Sequence, residues 1–236
     1  MKKLIIIPAY NESTNLIHVV QDIKVNAPDF DYVIINDCSK DDTEQICKEN
    51  GFNYVSLPIN LGIGGAMQTG YKYARKHGYD IAVQFDGDGQ HDASYLGVLL
   101  KTMEEKNADM VIGSRFINKE GFQSSFTRRL GIRFFEKLIR SMTGKLITDA
   151  TSGFRMVNKQ IIDLFCEYYP RDYPEPESIV SVLRNDFKVE EAPVLMRERI
   201  GGTSSIVSFK AVYYMIKVSL AIMIDRLKAK PKEGSR

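Results

Sequence analysis

Short apolar runs alternate with polar turns and helix-length stretches through the first half of the chain, and this rhythm predicts the fold. Leu4 to Pro8 is an uninterrupted β-branched apolar run, which predicts a strand buried on both faces. A polar turn follows, Ala9-Tyr10-Asn11-Glu12-Ser13, and Ser13 or Asn15 is placed to cap a helix running to about Val25. Tyr32 to Ile35 forms the second strand, and the turn from Asn36 to Thr43 leads into a helix through Cys47. Phe52 to Leu57 is the third strand, followed by a Gly-rich turn and a helix from Gly65 to Lys76. Ile81 to Phe85, the fourth, runs straight into Asp86-Gly87-Asp88-Gly89-Gln90-His91-Asp92.

Beyond a helix near Ala93 to Lys106 comes a strand at Met110 to Gly113, then Ser114-Arg115. Residues 118–148 read as mostly helical and basic, with Arg128, Arg129, Arg133, Lys137, Arg140 and Lys145. Asp149 to Arg155 is a polar junction, a helix follows to about Tyr168, and Asp172 to Glu177 is a Pro-interrupted acidic loop. Val189 to Met196 is a late strand, and Arg197 to Ser205 a Gly/Ser loop. Strands alternating with helices at this spacing predict an α/β, Rossmann-type, mainly parallel sheet flanked by helices and joined by right-handed crossovers. Ligands of such sheets sit beyond the carboxyl ends of the strands. The turns at 9–12, 36–43, 60–65 and 86–92 all fall on that edge, so the site is expected there.

Length and composition narrow the classes. With 236 residues, 44% hydrophobic and 26% charged, the chain fits one large globular domain and is neither disordered nor fibrous. A formal charge of +2, with Lys and Arg spread out until the last third, gives no concentrated basic face, so no nucleic-acid partner is expected. The 3 cysteines lack CxxC spacing, which argues against a disulfide framework or structural zinc and for a reducing, cytoplasmic setting. Lys2-Lys3 precedes only a short apolar run ending at Pro8, unlike a signal peptide. Residues 1–205 are expected to form one domain and 206–236 a C-terminal amphipathic helix and basic tail. Ile206 to Ile224 is apolar, but Lys210 and Lys217 interrupt it on one helical face, a poor fit for a bilayer span. A helix lying on a membrane surface or on a membrane-protein partner fits better, with packing on its own domain as the alternative.

Aspartates two apart at the end of a buried strand, separated by glycine, point to a hard cation such as Mg²⁺ or Mn²⁺, although Asp-Gly is also common in solvated turns. Gly87 and Gly89 permit close approach of the backbone, Gln90 adds an oxygen and His91 a possible nitrogen. The turn Leu61-Gly62-Ile63-Gly64-Gly65-Ala66 fails as a dinucleotide fingerprint. Met67 stands at the third glycine position, and the turn follows the third strand rather than the first. Its glycines are better used to pack a helix start against the sheet.

The segments 7–12, 35–43, 60–66, 86–91, 113–115, 149–155 and 199–204, taken in that order, resemble the family-2 glycosyltransferases. Within them the likeness is to the polyprenyl-phosphate enzymes akin to dolichyl-phosphate mannose synthase. The resemblance implies a GT-A-like fold and a hexosyltransferase that moves a sugar, with inversion, from a nucleotide-sugar donor. It implies that Pro8, Tyr10, Glu12, Ile35 and Asp37 line the base and ribose pocket, with Gly87 beside the donor and Asp86 shared between ribose and metal. Asp88 and Gln90 would complete the metal site, and Arg115 and Arg199 would face donor or acceptor phosphate. Ser205 stands where a lysine beside the donor phosphates is frequent, so the donor stays open. Many relatives continue into transmembrane helices, where this chain offers one amphipathic stretch.

Chemistry separates the acceptors. A phosphate monoester is already ionised and attacks unaided, whereas a sugar hydroxyl needs a carboxylate base, for which Asp149 and Glu177 are the candidates. Arg129 and Arg133, four apart on a predicted helix, would suit an acceptor phosphate. A polyprenyl phosphate at the cytoplasmic face of a membrane is therefore the leading expectation. Transfer to a hydroxyl of a cell-envelope polysaccharide is the second, and a catalytically silent nucleotide-sugar-binding scaffold the third.

Overall fold

The apolar run at the N-terminus becomes the middle of the sheet. In the computed structural model, which describes residues 1–118, 126–171, 174–197 and the positions 217, 219 and 220, Leu4, Ile5, Ile6 and Ile7 of β1 (Lys3–Ala9) are fully buried. The chain continues through α1 (Leu16–Asn26), β2 (Asp31–Asn36), α2 (Thr43–Glu49), β3 (Tyr54–Ser56), α3 (Gly62–Lys76) and β4 (Ile81–Gln84). A single 3-10 turn, Ala93–Tyr95, opens α4 (Leu96–Lys106). Then come β5 (Met110–Ser114), α5 (Phe126–Thr143), β6 (Arg155–Asn158), α6 (Lys159–Glu167), α7 (Pro174–Arg184) and β7 (Val189–Pro193).

These strands make a 7-stranded sheet in the order β3-β2-β1-β4-β6-β5-β7. Only β6 runs against its neighbours, β4 and β5; the other pairings are parallel. Because side chains alternate across a strand, Leu4 and Ile6 join one core with α3, α5, α6 and α7, while Ile5 and Ile7 join another with α1 and α4. The strand order reverses between β1 and β4, which opens a crevice at their carboxyl ends. The reversed β6 brings its own beginning, and the junction at 149–154 before it, to that same edge.

Two elements differ from expectation. Arg155–Asn158 is a strand, where a junction ending at Arg155 and then a helix were expected, since four residues led by a charged side chain carry no readable alternation. Pro174 to Glu177 is the first turn of α7, not a loop. Prolines are tolerated there because the first amides of a helix have no partner within it. The expected tail at 206–236 falls almost wholly outside the described residues, as does the Gly/Ser loop after Arg197.

Gly64 shows why the first turn of α3 is rich in glycine. Its amide donates to Arg171 O at 3.0 Å, and a Cβ there would fall far inside van der Waals contact with the carbonyls of Pro170 and Arg171. Those are backbone atoms and cannot swing aside. Gly64→Ala should therefore cost about 3 kcal/mol in a urea melt, the upper end for overpacking; an unchanged midpoint would mean that the 170–171 segment gives way freely.

Candidate active site

The turns after β1 and β2 are laced to one another before they can meet a ligand. Asn11, at φ 57, donates its amide to Ser39 Oγ at 3.0 Å, and its Oδ1 accepts from Lys40 N at 2.8 Å. Glu12 N donates to Thr43 Oγ1 at 3.0 Å. Asn15, expected as a cap, instead turns its amide to Glu12 Oε2 at 2.7 Å and makes no side-chain cap. Tyr10 stands exposed at the rim, and Pro8 is buried just below it. Of the residues expected to line a base and ribose pocket, two are placed differently. Ile35 is fully buried in the α3-side core, so its side chain packs the sheet. Asp37 has both oxygens engaged by the start of α3, accepting from Leu61 N at 2.7 Å and Gly62 N at 2.8 Å. It caps that helix from a distance, where the dipole favours an anion.

Asp86, Gly87, Asp88 and Gln90 leave β4 on the other side of the crevice. A Cβ on Gly87 would meet Pro8 O at 3.1 Å and Glu12 Cγ at 3.6 Å, so this loop and the first turn share one wall. Asp86 is about one-third exposed; Gln84 Nε2 donates to its Oδ1 at 3.2 Å. Its backbone amide donates to His91 Nδ1 at 3.0 Å, which leaves the ring proton on Nε2, 3.6 Å from Asp86 Oδ2. His91 is buried, stacked on Phe154 at 4.8 Å and edge-on to Phe85 at 5.3 Å. It therefore orients Asp86 rather than offering a nitrogen outward. Gly153 completes this shell, since a Cβ there would come within 2.7 Å of Asp86 Oδ2. Asp88 is buried and accepts from Gln90 N at 3.0 Å.

These donors fit a hard cation. Asp86, Asp88 and Gln90 offer oxygen ligands, and the buried acceptors Asn15 Oδ1 and Gln84 Oε1, beside Glu12 and Asp86, lack a hydrogen-bond partner. Among the described residues no three His, Cys, Asp or Glu side chains gather as a cage. A cation held here would take its remaining ligands from a bound phosphate.

Arg115 and Asp149 do not face outward as expected. They form a buried fork, Nε to Oδ2 and Nη2 to Oδ1, each at 2.7 Å, with Asp149 fully inaccessible. Arg115 N also donates to Asp149 Oδ2 at 3.2 Å. Asp149 N and Thr148 N in turn donate to Glu191, whose carboxyl is pushed up by burial. The Arg155 guanidinium, further along the junction, is held by the carbonyls of Ser152, Ala150 and Glu175 and by Ser178 Oγ. Glu177 lies in the first turn of α7 and accepts from Tyr168 OH at 2.8 Å. Arg129 and Arg133 are both exposed on α5. Arg199 lies outside the described residues.

The family model for glycosyl transferase family 2 matches residues 4–165. A UDP-N-acetylglucosamine–dolichyl-phosphate N-acetylglucosaminyltransferase of Methanococcus voltae is 28% identical, covering 94% of this chain and 97% of that protein. A polyprenol monophosphomannose synthase of Mycolicibacterium smegmatis is 27% identical, over 92% of this chain and 86% of the relative. An undecaprenyl-phosphate mannosyltransferase of Micrococcus luteus is 31% identical over 66% of this chain and 65% of its own length. Among solved structures, glucosyl-3-phosphoglycerate synthase from Mycobacterium tuberculosis, in complex with Mn²⁺, UDP-glucose and phosphoglyceric acid, superposes with a TM-score of 0.74. It has 15% identity, over 98% of this chain and 81% of the other. At that identity the likeness concerns the fold, which is GT-A.

Proposed function

This chain belongs to glycosyl transferase family 2 and is a glycosyltransferase, and from that premise we propose that it transfers a sugar, with inversion, from a nucleotide-sugar donor to a polyprenyl phosphate at a membrane surface. The observation that carries the choice of acceptor is the Arg115–Asp149 fork. A hydroxyl acceptor needs a carboxylate free to take its proton, and Asp149 is inaccessible and doubly bound. Glu177 is engaged by Tyr168. A phosphate monoester, already ionised, makes no such demand. Two relatives that cover 94% and 92% of this chain are named for dolichyl-phosphate and polyprenol acceptors, which supports the same choice.

In this reading Tyr10 and Glu12 flank the donor's base and ribose, and Gly87 lets the diphosphate approach the backbone. Asp86, Asp88 and Gln90 would hold Mg²⁺ or Mn²⁺; when bound, the ion offsets charge on the departing nucleoside diphosphate. Structures of the same fold were solved with Mn²⁺ and UDP-glucose or with Mg²⁺ and UDP, which supports the cation. Gln84, His91 and Gly153 keep the Asp86 carboxylate at a fixed orientation before any ligand arrives, lowering reorganisation on binding. Arg199 and the exposed Arg129 and Arg133 are assigned to phosphate. We place the chain peripherally on the cytoplasmic face, held through residues 206–236; among the described residues no helix is long and apolar enough to cross a membrane.

The test is to incubate the protein with a panel of nucleotide sugars and polyprenyl phosphate, with and without EDTA. Glycolipid should form only while the metal is present. Product formed only on glycan acceptors would overturn the lipid-phosphate reading, and metal-dependent nucleotide binding without turnover on either acceptor would make the chain a silent binding protein.

A further inference from the structure

The loop that carries Asp86, Asp88 and Gln90 is tied down from outside by a residue the function has not used. Arg197 is the last residue of the described stretch after β7. Its backbone amide donates to Gln90 O at 2.9 Å, inside the loop itself. Its guanidinium reaches Asp22 on α1, with Nη1 to Oδ2 at 3.1 Å and Nη2 to Oδ1 at 3.4 Å, and its Nη2 lies 2.8 Å from Asp92 Oδ2 at the loop's far end. Asp22 also accepts from Ala93 N at 3.0 Å, so it grips the loop directly. The Asp22 side chain is only 7% exposed and that of Asp92 21%, so the two carboxylates need a cation between them.

We infer that Arg197 is a positioning residue for this site: it clamps the Asp86–Asp92 loop to α1 and to the stretch after β7, and so holds the oxygen ligands at a fixed separation. The inference rests on the assignment of Asp86, Asp88 and Gln90 to a cation. Without Arg197 the largely buried carboxylates of Asp22 and Asp92 would repel each other, and Gln90 would lose its backbone partner's fixed position. The loop would still be covalently continuous with β4, and the core beneath it would be untouched. Oxygen ligands held loosely must be ordered on binding, which weakens metal affinity without altering the chemistry once the site is filled.

The experiment compares the unaltered protein with Arg197→Ala, Arg197→Lys and Asp92→Asn/Arg197→Ala. Binding of Mn²⁺ is followed by electron paramagnetic resonance with UDP and, in parallel, with GDP. Hydrogen exchange of the 86–93 amides and the Mn²⁺ dependence of transfer are measured on the same proteins. Arg197→Ala should weaken Mn²⁺ binding about tenfold and raise the metal KM alike, while kcat at saturating Mn²⁺ stays within about threefold. Exchange should quicken in 86–93 and not in β1. Lysine, which reaches one carboxylate but cannot fork to both, should recover part of the affinity, and so should removing the Asp92 charge. Mn²⁺ affinity within about twofold of the unaltered protein, with kcat or melting temperature reduced instead, would overturn the inference. If Arg197→Ala does not fold, the lysine variant alone decides: full affinity and unchanged loop exchange would sink the clamp. Absence of Mn²⁺-dependent nucleotide binding by the unaltered protein would overturn the cation assignment, and the exchange rates would then judge the clamp by itself.

Discussion

Replacing Asp149 by alanine is expected to destabilise the protein by about 3–5 kcal/mol, the cost of leaving a buried partner charge uncompensated. The carboxylate has no accessible surface and binds Arg115 through both oxygens, while Arg115 is itself only 5% exposed. Removing one partner strands the guanidinium against the 149–153 junction, where it also donates to Thr151 Oγ1, and that junction carries Gly153 against Asp86. The measurement is a urea melt followed by circular dichroism, with transfer assayed at a temperature where the variant remains folded. Replacing both partners by apolar residues, Arg115→Met with Asp149→Leu, should recover much of the loss, because no unpaired charge is left. A base role makes the opposite prediction. If Asp149→Ala melts like the unaltered protein and yet loses all transfer to a hydroxyl acceptor, Asp149 is the proton acceptor and the lipid-phosphate proposal falls.

That pair also shows what the chain did and did not disclose in one dimension. The strands β1, β2, β4 and β5 were legible because parallel strands covered on both faces are continuous apolar runs, and Leu4–Ile7 has no competing reading. The turns on the carboxyl edge were legible for the same reason, since each begins where such a run stops. The reversed β6 was not. Its four residues, Arg-Met-Val-Asn, start with a guanidinium that sequence reasoning reserves for the surface, and only the fold supplies the carbonyls of Ser152, Ala150 and Glu175 that make burial tolerable. Pairings over long separations were equally hidden. Nothing local tells Asp37 that its partners are the amides of Leu61 and Gly62, or Arg197 that it meets Asp22. His91, read from the sequence as a possible nitrogen ligand, is buried against Phe85 and Phe154, and only the fold brings Phe154 beside it. Residue type at a strand terminus thus marked where the site is, while the duties within it depended on contacts that sequence separation conceals.

The largest catalytic effect should come from the smallest change, Asp88→Asn. Asparagine keeps the oxygen that accepts from Gln90 N at 3.0 Å, so the loop retains that bond and the melting curve should hold. What disappears is a negative oxygen ligand in a buried position, where a hard cation gains most from a full charge. Transfer should fall by about a thousandfold or more, equivalent to about 4 kcal/mol of lost transition-state stabilisation, and Mn²⁺-dependent nucleotide binding should fall with it. Asp86→Asn is the informative companion. Its carboxylate is one-third exposed and already oriented by Gln84 and His91, and an amide there can still face Gln84. Its loss should be smaller and divided between nucleotide affinity and rate, as suits an oxygen shared between metal and ribose. Equal effects at the two positions would mean that the carboxylates act as one bidentate unit, and metal-dependent transfer surviving Asp88→Asn would remove Asp88 from the site altogether. Between those results lies the physical distinction the loop is built on: Asp88 accepts from the backbone of Gln90 two residues on, a bond that asparagine can keep, whereas Asp86 is oriented by the side chains of Gln84 and His91.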